Sequence, residues 1–123
     1  MATLSATIVT DGSGDGTNLD SNSNPSWSGR TSARVLEGIR IEYGAADGTT
    51  DVTIEEVAGL KRTILSISNN NTDTTYTPTN EHQDTAGSSV SQYAPFTVDP
   101  GNLKVTVAQS GASKEITVFI EVW

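Results

Sequence analysis

The sequence contains no cysteine and one histidine, and two Trp, three Tyr and two Phe are the only large aromatics among its 123 residues. Without cysteine there are no disulfides, no thiol chemistry and no thiolate zinc sites. A lone His82 excludes His-rich metal centres and leaves few routes to a catalytic triad. Bases are also scarce: seven Lys and Arg stand against fifteen Asp and Glu, a net charge of −8 and an isoelectric point near 4.3. Nucleic-acid binding through phosphates needs clustered bases, so that class is set aside. No 18-residue apolar run occurs, so no membrane-spanning helix is expected. Met1 leads directly into Ala2-Thr3-Leu4, with neither a basic nor an apolar leader region, so no secretory signal is expected. These exclusions favour a structural or binding domain over an enzyme, with no cofactor and no metal.

Small and β-forming residues fill the chain instead. Thr, Ser and Gly occupy 18, 14 and 11 positions. Ile and Val dominate the apolar runs, and with Thr they suit a pleated, half-buried surface. At 34% hydrophobic residues the core must be thin, as it is between two sheets.

Periodicity agrees. Ile116, Val118, Ile120 and Val122 alternate with Thr117, Phe119, Glu121 and Trp123. Leu103, Val105 and Val107 alternate with Lys104, Thr106 and Ala108, and the two runs read as an antiparallel hairpin across Gln109–Lys114. Leu4, Ala6 and Ile8 form a third stripe, and Val52 and Ile54 a fourth. Val35, Ile39, Ile41 and Tyr43 share one parity, opposite Leu36, Gly38, Arg40 and Glu42. In the next run Thr63, Leu65 and Ile67 oppose Ile64 and Ser66. Tyr93–Val98 reads as a further strand, with Pro95 marking an edge or a bulge and Asp99-Pro100-Gly101 closing it. The pattern predicts an all-β, antiparallel sandwich of about eight strands in a single domain spanning 1–123. Residues Asp11–Thr31, rich in Gly, Ser, Asn and Asp, read as one long polar loop.

Few constellations point to chemistry. Asp11-Gly12-Ser13-Gly14-Asp15-Gly16 begins like a calcium loop, with Asp20 nearby. Its twelfth position is Asn22, which cannot supply the bidentate carboxylate, so a plain turn between strands fits better. Glu55 and Glu56 are adjacent on a strand and point to opposite faces, which suits solubility and edge protection rather than acid–base work. Trp27 and Arg30 lie in the long loop, and both are residue types enriched at interface anchors. Arg34 adds a second base close by, and Phe119 and Trp123 place large aromatics on the polar parity of the last strand. These five residues are the candidate partner-binding set.

The segment Thr63–Asp73, with its Asn69-Asn70-Asn71-Thr72-Asp73 run, is followed by Tyr76-Thr77-Pro78, by His82–Gly87 and by Leu103–Gln109. Together they resemble the head decoration, or cement, proteins of tailed bacteriophages, over roughly Val52–Trp123. The resemblance implies a jelly-roll-like β-sandwich that assembles as a homotrimer. It also implies binding to the major capsid protein on the capsid exterior after synthesis in the host bacterial cytoplasm. On that reading the protein stabilises the lattice by binding, without turnover. The rival from another class is a carbohydrate-binding module on the virion surface, with Trp27, Tyr76 and Tyr93 as stacking platforms.

Overall fold

A computed structural model describes residues 2–11, 15–20 and 33–123, with the backbone alone described for Ala2 and for 15–20. Eleven strands are present among these residues: β1 (Ala2–Asp11), β2 (Asp15–Asp20), β3 (Arg34–Glu42), β4 (Asp51–Glu56), β5 (Thr63–Ile67), β6 (Thr74–Tyr76), β7 (Thr79–Gln83), β8 (Ser89–Pro95), β9 (Thr97–Val98), β10 (Leu103–Ala108) and β11 (Ala112–Val122). A 3-10 turn, Pro100–Asn102, is capped by Asp99, whose carboxylate accepts from Gly101 N at 2.8 Å. No described helix is long and apolar enough to cross a membrane.

One sheet runs β1-β11-β3-β6, with β9 also paired to β3, and the other runs β2-β10-β4-β5. The partners are nested along the chain. β1 pairs with β11, β2 with β10, β3 with β6 and β4 with β5, all antiparallel. This is a jelly roll: a long double ribbon wound so that its strands alternate between two facing sheets.

The stripes meet between the sheets. Leu4, Ala6 and Ile8, Ile39 and Ile41, and Ile116, Val118, Ile120 and Val122 are buried on one side. Val52 and Ile54, Leu103, Val105 and Val107 are buried on the other. Alternation with period 2 therefore locates the core, but it does not choose strand partners. The expected β10–β11 hairpin does not form, because β10 pairs β2 and β4 while β11 pairs β1 and β3. The two runs face each other across the core. Gln109, at φ 59°, and Gly111, at φ 87°, turn the chain from one sheet to the other. A side chain at Gly111 would also meet the Asp47 carboxylate at 2.9 Å, so this crossing needs glycine.

Two bulges change face assignments. On β3 the register steps from Glu121↔Gly38 to Val122↔Leu36, leaving Glu37 as an extra residue. The side-chain parity inverts there. Leu36 becomes core at 2% exposed, and Val35 turns outward at 40%. On β5 the register passes from Ile54↔Leu65 to Glu55↔Thr63, and the extra residue Ile64 is buried as well. The expected loop over 11–31 is also interrupted, because Asp15–Asp20 forms β2 along β10. Glu55 and Glu56 lie on β4, inside its sheet between β10 and β5, so they protect no edge.

The bulge on β3 is open to a direct test. Leu36→Ala should cost about 2–5 kcal/mol in denaturant unfolding, and Val35→Ala less than about 0.5 kcal/mol. Strict alternation through β3 would reverse that order.

Candidate interaction surfaces

The outer face of the β1-β11-β3-β6 sheet carries Phe119 and Trp123. Phe119 is half-buried, with Ser5 opposite it on β1 and Arg40 opposite it on β3. Glu121 lies between Thr3 and Gly38 in the next row. The small neighbours leave a groove of about 230 Å³ beside the Phe119 ring, lined also by Thr75 and Arg40. Arg40 is held by Glu42 at 3.2 Å and by Thr75 Oγ1 at 3.2 Å, both at the exposed surface. Trp123 is 53% exposed and exchanges both backbone hydrogen bonds with Val35, at 2.9 and 3.3 Å. That pairing sets Trp123 and Val35 side by side. Along one strand face Phe119 and Trp123 are about 13 Å apart.

Arg34 opens β3 opposite Val98 of β9 and is half-buried. The structure thus brings Phe119 and Trp123 to one face, whereas Arg34, paired with the buried Val98 and next to the outward Val35, falls on the opposite side of β3. Trp27 and Arg30 lie outside the described residues. So do Gly12–Gly14 and Asn22 of the calcium-loop reading, whereas Asp15, Gly16 and Asp20 are paired with β10 on either side of a register shift in β2. No group of acidic or histidine side chains suited to a metal occurs among the described residues.

A second surface was not read from the sequence. β7 and β8 form a two-stranded sheet of their own, and every residue from Glu81 to Tyr93 is exposed. The hairpin leaves the sandwich between Pro78 and Pro95. Its base borders a groove of about 410 Å³ that Val35 and Leu36 also line. The tip is well made. Asp84 Oδ1 accepts from Ala86 N at 2.8 Å and from Ser88 N at 3.0 Å, and Gly87 at φ 81° accommodates the turn. Between Glu81↔Tyr93 and Gln83↔Ser89, β8 bulges through Val90, Ser91 and Gln92 opposite His82. His82 therefore stands on an exposed ribbon. The two prolines and the lack of apolar alternation between them were the signals available in the sequence.

The Asn-rich run binds the opposite loops together. Asp73 Oδ1 accepts from Tyr43 N at 2.8 Å, Asn71 Nδ2 donates to Ala46 O at 3.0 Å, and Asn70 N donates to Thr50 O at 3.0 Å. These bonds lash the β5–β6 loop over the β3–β4 loop. Beneath them the Tyr43 hydroxyl is buried with no hydrogen-bond partner in the geometry of the described residues, and burial pushes its pKa up to about 12. Tyr76 packs against the core and its hydroxyl accepts from Asn70 at 3.4 Å, whereas Tyr93 stands on the hairpin at 59% exposed. These two tyrosines do not form one platform.

At the base of the hairpin, Arg62 clamps three segments. Its Nε and Nη2 reach the Glu56 carboxylate at 2.7 and 3.1 Å, and Nη2 also donates to Thr97 O at 3.0 Å. The guanidinium lies 5.3 Å from the centre of the Phe96 ring. These hydrogen bonds hold the Glu56 carboxyl below its ordinary 4.5, against the opposing effect of burial. The clamp secures the chain where it returns from the hairpin into β9.

Compared with known proteins, the chain matches no family model, no curated protein and no solved structure.

Because Glu56 is depressed in the folded state, its contribution is complete above its unfolded value and is lost as pH falls through the lowered folded value. Glu56→Gln should cost about 1–3 kcal/mol near pH 7. It should also flatten the decline of stability as pH falls below the ordinary Glu value of 4.5. Parallel acid-unfolding curves for the two proteins would show that the clamp contributes nothing to that decline.

Proposed function

We propose that this protein is a non-enzymatic virion structural protein, a decoration protein that binds the outer surface of a bacteriophage head and stabilises the capsid lattice. The observation that carries the reading is the outer face of the β1-β11-β3-β6 sheet. There Phe119, Trp123 and Val35 sit outward on a sheet whose own core is already filled on its other side. Large apolar groups on a second face suit a surface that another protein covers. The sequence resemblance over Val52–Trp123 supplies the class of partner. Jelly rolls serve viral capsids and lectins alike, so the fold supports the reading without deciding it.

The mechanism is mass action. A protein that binds only the assembled, expanded lattice stabilises that lattice in proportion to the binding free energy. Three linked copies at a local three-fold position raise avidity without new contacts. A net charge of −8 keeps decorated particles soluble and mutually repelling. The sheet face would serve the trimer or the capsid contact.

Light scattering of the purified protein should return three times the chain mass of 12.9 kDa. Mixed with undecorated expanded capsids, it should co-sediment with them and appear as added density on the outer surface in electron micrographs. Phe119→Ser with Trp123→Ser should dissociate the trimer or weaken capsid binding at least tenfold, about 1.4 kcal/mol. A monomer that ignores capsids and binds glycans would establish the carbohydrate-binding reading instead.

A further inference from the structure

The β7–β8 hairpin contributes nothing to the core of the sandwich that carries it. Its base is already closed by the pairs Thr79↔Pro95 and Asn80↔Ala94, so a two-residue turn would suffice to join them. The chain instead extends through Glu81–Tyr93, all of it exposed. An isolated two-stranded ribbon is marginally stable in water. This one has a tip ordered by the Asp84 carboxylate and a bulge held at Ser91, φ 54°. A ribbon so constructed, whose long edges pair with no other described strand, is suited to lie against something else.

The side chains indicate what that is. From Thr63 to Leu103 the chain has no Lys or Arg, and its charges are Asp73, Glu81, Asp84 and Asp99. On the ribbon, Glu81 and Tyr93 are directly opposite one another, and both are exposed. Side chains paired across strands in this way lie next to each other on one face. A carboxylate beside a phenol ring fits an arginine, whose planar guanidinium stacks on the ring and bonds the carboxylate. A second copy is a poor occupant, since the whole chain has fifteen acids to seven bases and would bring like charge. We propose that the β7–β8 ribbon is a docking arm for a basic protein surface, engaged through the Glu81–Tyr93 pair. Resting on the decoration reading, that surface belongs to the capsid subunit.

The test uses undecorated capsids and three proteins: the full chain, a variant with residues 81–93 replaced by Asn-Gly, and the exposed double substitution Glu81→Lys with Tyr93→Ser. The melting temperature should stay unchanged in both variants, because the arm lies outside the core. Capsid occupancy should fall at least tenfold in both, and binding of the full chain should weaken as salt is raised. Full-strength binding by the armless variant overturns the arm's role and leaves the decoration reading standing. No binding by the full chain removes the decoration reading and the arm's partner together. An armless variant that binds poorly because light scattering shows it has lost its oligomeric state would assign the arm to a second copy, which also overturns the proposal.

Discussion

The structure depends on one layer of apolar side chains shared by two sheets. Ile116, Val118, Ile120 and Val122 on β11 make the centre of it, because β11 is flanked by β1 and β3 and every second residue points inward. Opposite them, Leu103, Val105 and Val107 do the same from β10, between β2 and β4. These side chains are small and mostly β-branched, so the layer is thin and its packing is sensitive to volume. A jelly roll distributes the last two long strands to the middle of separate sheets. The C-terminal residues thereby hold both sheets, and the earlier strands are added around them.

That arrangement determines what could be read from the sequence. Alternation reports which residues face the core, and the stripes on β1, β4, β10 and β11 were all legible. Alternation is silent about which strand lies alongside. The runs in β10 and β11 have hairpin spacing, and the crossing to opposite sheets comes with left-handed conformations at Gln109, Gly111 and Ser113 that alternation does not reveal. Parity also fails wherever the backbone inserts a residue. Glu37 on β3 and Ile64 on β5 invert the pattern without any compositional mark, so Leu36 and Ile64 are core although simple counting faces them away from the residues they join. β2 was hidden for another reason: Asp15–Asp20 has no apolar stripe, and its place in the sheet comes from backbone pairing with β10.

The candidate surfaces were legible to different degrees. Phe119 and Trp123 stood out because large aromatics at polar parity are uncommon, and the outer sheet face does gather them, together with a Val35 that the bulge turned outward. The ribbon from Thr79 to Pro95 was not legible as a surface, since exposure is a property of the whole fold and not of a run of Ser, Gln and Thr. The Asn-rich run shows the converse. It attracts notice as a motif, yet its side chains are spent on hydrogen bonds that join two loops of the same chain.

Stability and the proposed contacts therefore rest on different residues. The core layer, the loop lashing around Asp73 and the Arg62–Glu56 clamp hold the sandwich together. The outer sheet face and the ribbon project from it without supporting it. Such a division lets a small domain accept change at its surfaces while its core stays constant. It also suits a protein acting by attachment. Attachment needs contacts spread over several points rather than a single deep pocket, and weak contacts add effectively once they are linked on one rigid body. The Arg62 clamp matters to both sets, because it fixes Phe96 and Thr97 where the ribbon returns to the sheet. A ribbon hinged on a loose base would lose orientation at each collision. One anchored beside a filled core starts from a defined base, which would lower the entropy lost on engaging the proposed partner.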